Sequence, residues 1–116
     1  MRFYFKIASK QDETRSFVIN RSAAKHFFKL GTVNHGDNFD VIVKTTYDSF
    51  NTKIVVHQDV RILLPLNTVS KGDTVVFEHL DYRTYKVRIL TIPQSQQVLG
   101  YMEDNHFMTN TDLLCQ

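Results

Sequence analysis

The sequence predicts a mainly β domain of the sandwich or barrel type. About seven short β-prone runs follow one another at close spacing, and turn-forming residues separate them. Residues 20–28 carry the one convincing helical spacing, and no long helical repeats occur between the strands. A layered α/β architecture is therefore not expected.

The expected strands are defined by alternating or β-branched apolar residues. In the first strand, Phe3, Phe5 and Ile7 share one face, whereas Tyr4 and Lys6 share the other. In order along the chain, the strands are expected at residues 2–8, 17–19, 39–44, 52–56, 60–64, 74–80 and 85–91.

A short helix is expected directly after the second strand. Asn20 or Ser22 can cap its start by accepting a hydrogen bond from a backbone N–H. The apolar positions that share one helical face are Ala23, Ala24, Phe27 and Phe28. The cationic positions, four residues apart on a different face, are Arg21, Lys25 and Lys29.

Two polar segments between strands are expected to be exposed loops. Residues 9–15 (SKQDETR) connect the first two strands, and residues 45–51 (TTYDSFN) connect the third and fourth. Residues 93–97 are expected to form a polar break, and residues 96–108 either a short helix or a return strand. We interpret residues 93–116 as a C-terminal extension or linker.

Length and composition indicate one domain over residues 1–116, which is large enough for a hydrophobic core. No apolar run approaches the roughly 20 residues that span a bilayer, and the N-terminus lacks the apolar segment of a secretory signal. The single Cys115 excludes an internal disulfide and a multi-cysteine zinc site. We therefore expect a cytoplasmic protein without a membrane partner.

The net charge of +2 is unevenly distributed along the chain. Residues 1–36 hold seven Lys or Arg against two Asp or Glu, and residues 37–92 hold seven of each sign. Residues 93–116 hold three acidic residues and no Lys or Arg. A basic front third on a near-neutral body is the pattern expected for a polyanionic partner.

The chain shows no catalytic motif. The five histidines lack the helical spacing of a zinc protease, and no serine lies in a Gly-x-Ser-x-Gly elbow. Residues 13–15 come nearest to the carboxylate–lysine pair of metal-dependent nucleases, but they have arginine for lysine and no apolar strand around them. We expect a binding module with no catalytic residue, metal or cofactor. An enzyme built on His57, Asp59 and Glu78 is the remaining catalytic alternative.

Three segments resemble the B3-type DNA-binding pseudobarrel. Residues 15–29 resemble its strand-then-helix pattern R-apolar-x-I-P-x-x-x-A-x-x-x-F, with Asn20 in place of the common proline. Residues 71–80 (KGDTVVFEHL) resemble its Gly-Asp-x-apolar-x-Phe strand, and residues 85–90 (YKVRIL) resemble its last strand. The positions that match the first pattern are Arg15, Val18, Ile19, Ala23 or Ala24, Phe27 and Phe28. The resemblance covers residues 2–92 and implies a seven-stranded open pseudobarrel with one or two short helices.

Two departures from the plant members of this family indicate the branch. Plant members carry tryptophans between their central strands, whereas this chain has none, and its region 37–71 is shorter. The chain is therefore most similar to the prokaryotic branch, the DNA-recognition domains of restriction endonucleases of the EcoRII effector kind. That resemblance implies a monomeric domain that binds double-stranded DNA sequence-specifically, with two arms in the major groove. The nuclease would lie in another domain or subunit.

The resemblance assigns the two arms by position, as residues 9–15 (the N-arm) and residues 47–53 (the C-arm). Candidates for base contacts in the N-arm are Lys10, Gln11, Asp12, Glu13 and Arg15. Candidates for base contacts in the C-arm are Tyr47, Asp48, Ser49, Asn51 and Lys53. Candidates for phosphate contacts are Lys6, Arg21 and Lys25. Basic side chains suit guanine, amides suit adenine, and carboxylates suit cytosine.

The acidic pair Asp12-Glu13 makes the N-arm assignment testable, because carboxylates near DNA are otherwise unfavourable. These side chains either accept hydrogen bonds from cytosine or face water. Two other functions remain open. One is a transcription-factor B3 domain. The other is a small β-barrel module that binds protein, RNA or single strands, for which Phe3, Tyr4, Tyr82 and Tyr85 would supply a stacking platform.

Overall fold

The computed structural model describes residues 2–114 and confirms a mainly β fold, one curled open sheet with two helices. It has eight strands, one more than predicted. The elements are β1 (Phe3–Ile7), β2 (Ser16–Ile19), α1 (Arg21–Phe27), β3 (Asn38–Lys44), β4 (Ser49–Val56), β5 (Val60–Leu63), β6 (Thr74–Asp81), β7 (Thr84–Ile89), α2 (Ile92–Leu99) and β8 (His106–Thr109). Within residues 2–114, neither helix is long and apolar enough to cross a bilayer.

The order of strands places both arms at one end of the sheet. The order is β2-β5-β4-β3-β7-β6-β1-β8, and β3 pairs with β7 in parallel while the other pairs are antiparallel. It follows that β1 and β3 end where β2 and β4 begin. We call this end of the strands the arm end. The opposite end of the strands, where α1 follows β2, is called the helix end.

Aromatic side chains fill the interior of the curled sheet. Phe17 of β2 and Phe77 of β6 lie edge to face with ring centroids 5.1 Å apart, so they join opposite sides of the sheet. At the helix end, Phe27 of α1 packs against Tyr4 at 5.9 Å and closes the interior. The Asn20 side chain accepts hydrogen bonds from the backbone N–H groups of residues 22 and 23, as expected for the cap of this helix.

Residues 93–114 form an extension that is part of the fold and not a linker, whereas residues 115–116 of the predicted extension or linker lie outside the described residues. Helix α2 begins with a capping box in which Thr91 and Gln94 bond each other's backbone N–H groups. After it, β8 pairs antiparallel with β1 and adds the eighth strand. Val98 and Leu114 are buried against the outer side of β1 and β6.

The buried phenols of Tyr4 and Tyr85 predict a loss of stability at high pH. Burial raises the pKa of both, that of Tyr85 to about 12, whereas phenols in the unfolded chain ionise near pH 10. Between about pH 10 and 12, the unfolded state therefore binds fewer protons than the folded state. We expect the free energy of unfolding, measured with urea, to fall as pH rises through this window.

Two variants separate these phenols from the other groups that titrate at high pH. Tyr85→Phe should make the fall shallower, because one raised pKa is removed. Tyr47→Phe should leave the profile unchanged, because Tyr47 is 93% exposed. A Tyr85→Phe profile with the slope of the unmodified chain would contradict the prediction.

Candidate nucleic-acid interface

The N-arm is a compact turn that folds around the side chain of Asp12. A single 3-10 turn spans Gln11–Glu13, closed by backbone hydrogen bonds from the N–H of Asp12 to the oxygen of Ser9 and from Glu13 to Lys10. The segment is not a hairpin, because it connects β1 near one edge of the sheet to β2 at the other. The N-arm thus bridges the open side of the curled sheet.

Asp12 is buried and makes structural contacts, which corrects its assignment as a base-contacting residue. Its side chain is 0% exposed. One carboxylate oxygen accepts from the N–H of Ser9 at 2.9 Å, and the other accepts from the N–H of Val18 at 2.8 Å. A carboxylate enclosed in this way cannot reach a base edge. Neither sequence-based alternative for Asp12, cytosine or water, is therefore correct.

Lys6 is the ionic partner of Asp12, which corrects its assignment as a phosphate contact. Its ammonium lies 2.8 Å from the Asp12 carboxylate and donates to the carbonyl oxygen of Val18 at 2.6 Å. It also lies 5.0 Å from the ring centroid of Phe17. The charge of Lys6 is therefore used to hold β1 against β2 across the open side of the sheet.

The burial of Asp12 leaves its neighbours in the N-arm facing solvent. Lys10, Gln11, Glu13 and Arg15 are all exposed. The backbone oxygen of Arg15 accepts from the N–H of Leu64, so its backbone is fixed while its side chain stays available. The N-arm therefore offers two cationic side chains, one amide and one carboxylate on a rigid turn.

The C-arm consists of the tip of the β3–β4 hairpin and the first part of β4. Strand β4 begins at Ser49, earlier than predicted, so the turn itself is limited to residues 45–48. The Thr45 hydroxyl accepts from the N–H groups of Tyr47 and Asp48, at 3.4 and 3.0 Å, and fixes the turn. The Tyr47 side chain is consequently held in solvent at the tip.

Three C-arm candidates share one face because β4 alternates. Ser49, Asn51 and Lys53 are exposed, whereas Ile54 is buried in the core. Lys53 donates to the carboxylate of Asp40 on β3 at 2.7 Å, and this hydrogen bond lowers the pKa of Asp40. Both side chains of this pair are solvent-exposed, so the lysine can exchange its partner for another anion.

A groove at the arm end brings the two arms together. Arg15 lies on one side and Asn51 on the other, and β5 lies between their strands. Its volume is about 410 Å³, and Pro65 and the exposed Leu66 contribute apolar surface. Because β5 lies between β2 and β4, the backbones of these two strands are two strand spacings, about 10 Å, apart. A major groove of B-DNA is about 12 Å wide, so the separation is comparable.

Arg21 and Lys25 lie on α1 at the helix end, one strand length away from the N-arm. The four residues of β2 correspond to about 13 Å. The Arg21 guanidinium also donates to the carbonyl oxygens of Val33 and His57, at 3.2 and 3.4 Å. The position of Arg21 and Lys25 therefore does not support their assignment as phosphate contacts beside the arms.

Basic residues that the sequence reasoning did not select lie closer to the arms. Lys44 is exposed at the end of β3, immediately before the C-arm turn. Arg88 of β7 lies against that turn, lining a shallow depression with Tyr47. The signal for Lys44 was present in the sequence, because it ends an alternating strand next to a polar turn. Arg88 is distant in sequence, and its place depends on the parallel β3–β7 pairing.

Two residues of the alternative catalytic set of His57, Asp59 and Glu78 have other partners in the structure. The His57 ring packs against His35 with centroids 5.1 Å apart, and Asp59 accepts from the Nε of Arg61 at 3.0 Å. Within residues 2–114, no group of three or more His, Cys, Asp or Glu side chains is placed to hold a metal ion.

Comparison with solved structures finds a likeness over nearly the whole chain. The chain is similar to the N-terminal domain of Helicobacter pylori LlaJI.R1, with a TM-score of 0.67 over 97% of this chain and 100% of that chain. The sequences are 15% identical, so the likeness shows a related fold. No family model matches the chain, and no curated protein matches it by sequence.

Proposed function

We propose that this chain recognises a short sequence of double-stranded DNA through its two arms, as the target-recognition domain of a restriction endonuclease. The groove between Arg15 and Asn51 is the observation that carries the proposal. The solved domain with a related fold belongs to a component of a restriction-modification system, which is consistent with such a role.

The residues that face the groove match the chemistry of base edges in the major groove. Arg15 can donate two hydrogen bonds to the O6 and N7 of guanine, and Asn51 can bind the N6 and N7 of adenine in the same bidentate manner. Leu66 offers an apolar contact for the methyl group of thymine. Glu13 lies outside the groove lining, but it is exposed in the N-arm and can accept from the amino group of cytosine.

Within this proposal the fold is of the B3 type, and cleavage is carried out by another domain or subunit. The B3 assignment rests on the sequence patterns at residues 15–29 and 71–80. The assignment of cleavage elsewhere rests on the lack of a catalytic motif in the sequence. A transcription-factor B3 domain would use the same groove, and the missing tryptophans and short region 37–71 favour the restriction branch.

The single-strand alternative loses its stacking platform in the structure. Of the four aromatic residues suggested for it, Phe3, Tyr4 and Tyr85 are at most 4% exposed, and only Tyr82 presents its ring to solvent. Proteins that bind single strands stack successive bases on several exposed rings. The suggested platform therefore keeps one exposed ring of its four, which favours the duplex proposal over that alternative.

Selection from randomised duplex DNA tests the proposed function. The full chain is mixed with a randomised library, bound duplexes are separated by gel shift, and the recovered DNA is sequenced. We expect a short consensus that competes for binding far better than a scrambled duplex. Binding without a consensus, or a preference for single strands over duplex, would overturn the proposal.

Lys44→Ala should weaken DNA binding equally for all sequences. Each phosphate neutralised in B-DNA contributes about 0.9 to the slope of log K against log salt, so we expect the slope to fall by about one unit. Lys25→Ala is the matched control, because Lys25 is exposed at the helix end and should leave the slope unchanged. Equal slopes for Lys44→Ala and the unmodified chain would remove Lys44 from the interface.

A further inference from the structure

A second concave site lies at the helix end, away from the arms. It is a cavity of about 350 Å³ between the end of α1, the start of β3 and the turn that joins β6 to β7. This volume is near the lower limit of small-molecule sites, which span about 300–1,000 Å³. The cavity therefore suits a ligand with one ring system and one small charged group.

Three cationic side chains line this cavity: Arg2, Lys29 and Arg83. The three ion pairs formed within residues 2–114 involve other cations, so these charges have no carboxylate partner at ion-pair distance. Two carboxylates interact electrostatically with the cavity wall: the charge of Asp81 raises the pKa of His79, and the charge of Arg83 lowers the pKa of Asp40. The cavity consequently keeps an excess of positive charge.

The backbone is strained at two of these three cations. Lys29 has φ of 52° and Arg83 has φ of 53°, values that glycine adopts readily and other residues rarely adopt. Each of these two residues lies in a turn, and both line the same cavity. At Lys29 this conformation ends α1, where the N–H of Leu30 donates to the carbonyl oxygen of Lys25, and at Arg83 it forms the tight turn between β6 and β7. The two turns thereby place both cationic residues beside the same cavity.

Two further features of the cavity are an oriented guanidinium and exposed aromatic surface. Arg2 donates from Nε and Nη2 to the carbonyl oxygen of Phe27, at 3.0 and 2.6 Å, and this fixes the plane of its guanidinium. Arg83 lies between two rings, 5.2 Å from the centroid of Phe39 and 5.4 Å from that of Tyr82. Tyr82 is 79% exposed, so its ring can accept a second flat partner.

His79 adds a neutral group to the wall of the cavity. Burial lowers the pKa of its imidazole, and the positive charge of Arg2 lowers it further. Near neutral pH, the ring therefore offers one hydrogen-bond donor and one acceptor beside the three cations. Such a mixed wall can contact the polar edge of a heterocyclic base.

We propose that this cavity binds a single nucleotide. Its phosphate would be held by Arg2, Lys29 and Arg83, since guanidinium and ammonium groups form charge-assisted hydrogen bonds with phosphate oxygens. Its base would stack on Tyr82 and meet His79. The nucleotide is either free or part of a bound nucleic acid strand, and the site does not require the arms.

Calorimetric titration of the full chain with nucleoside 5′-monophosphates at low salt tests this proposal. We expect the nucleotides to bind saturably. The matching nucleosides and inorganic phosphate should each bind with at least about tenfold lower affinity, because each supplies only half of the contacts. Arg83→Gln and Lys29→Gln should each weaken nucleotide binding at least about fivefold. Lys71→Gln is the matched control, since Lys71 is exposed at the arm end and should change nothing.

Three results would overturn the proposal: no saturable binding at millimolar nucleotide, unchanged affinity in both cavity variants, or phosphate that binds as tightly as the nucleotide. The last would show an adventitious anion only. Displacement of the nucleotide by a short single-stranded oligonucleotide would assign the site to a nucleotide within a strand, and lack of displacement to a free one. The arm variant Arg15→Ala should bind nucleotide normally, so failure here is distinct from failure of duplex recognition.

Discussion

Replacing Asp12 with asparagine should lower the free energy of unfolding by on the order of 3 kcal/mol, because removal of one partner from a buried ion pair leaves the other uncompensated. The Lys6 ammonium, 15% exposed, would lose its carboxylate. The asparagine side chain has one acceptor oxygen and cannot replace both contacts, to the N–H groups of Ser9 and Val18. Urea unfolding monitored by circular dichroism measures the change.

Asp40→Asn provides the matched control. Asp40 forms an ion pair with Lys53 at 2.7 Å, close to the 2.8 Å of the Asp12–Lys6 pair. Both side chains of the Asp40–Lys53 pair are exposed. Exposed pairs contribute about 0–1 kcal/mol, so this variant should unfold close to the unmodified chain. If Asp12→Asn were as stable as Asp40→Asn, Asp12 would not be the structural residue described above.

Replacing Arg15 with alanine should reduce affinity for the recovered DNA consensus by about 5- to 150-fold, the equivalent of one bidentate base contact of about 1–3 kcal/mol. The variant should also lose its preference at one position of the site. The fold should persist, because Arg15 contributes its backbone oxygen to the sheet and its side chain faces solvent. Gel shifts against the consensus and its single-base variants measure both effects.

Arg15→Lys distinguishes base reading from a general electrostatic role. Lysine keeps the positive charge but lacks the planar fork that contacts two atoms of guanine. We therefore expect Arg15→Lys to retain the salt dependence of the unmodified chain and yet to accept other bases at the same position. Unchanged binding of the consensus by Arg15→Ala would remove the N-arm from the recognition surface.

Strands with a strong local β-prone signal were predictable from the sequence, whereas elements that depend on a distant partner were not. The run at residues 74–80 and the Asn20 cap are local signals, and both appear where expected. The capping box of α2 was also a local signal, in Thr91 and Gln94, but the polar composition suggested a break. Strand β8 has four residues and forms because β1 leaves one edge free.

The candidate site was predictable in outline and not in its inward-facing residues. The polar composition of residues 9–15 indicates an exposed turn, and most of its side chains are exposed. Nothing local to Asp12 shows that it turns inward. Its burial depends on the N–H of Val18, which donates to its carboxylate, and on the ammonium of Lys6. Both approach Asp12 only when β2 and β1 face each other across the open side of the sheet.

The contacts at Val18 also bear on how copies of this chain behave at high concentration. Strand β2 is at an edge of the sheet, where free backbone groups can recruit a strand from another molecule and start aggregation. In the antiparallel pairing of β2 with β5, the backbone groups of every second residue form the hydrogen bonds between the strands. The N–H and carbonyl of Val18 point away from β5, to the open side of the sheet. Asp12 and Lys6 occupy both groups, so this edge is already blocked against intermolecular strand addition.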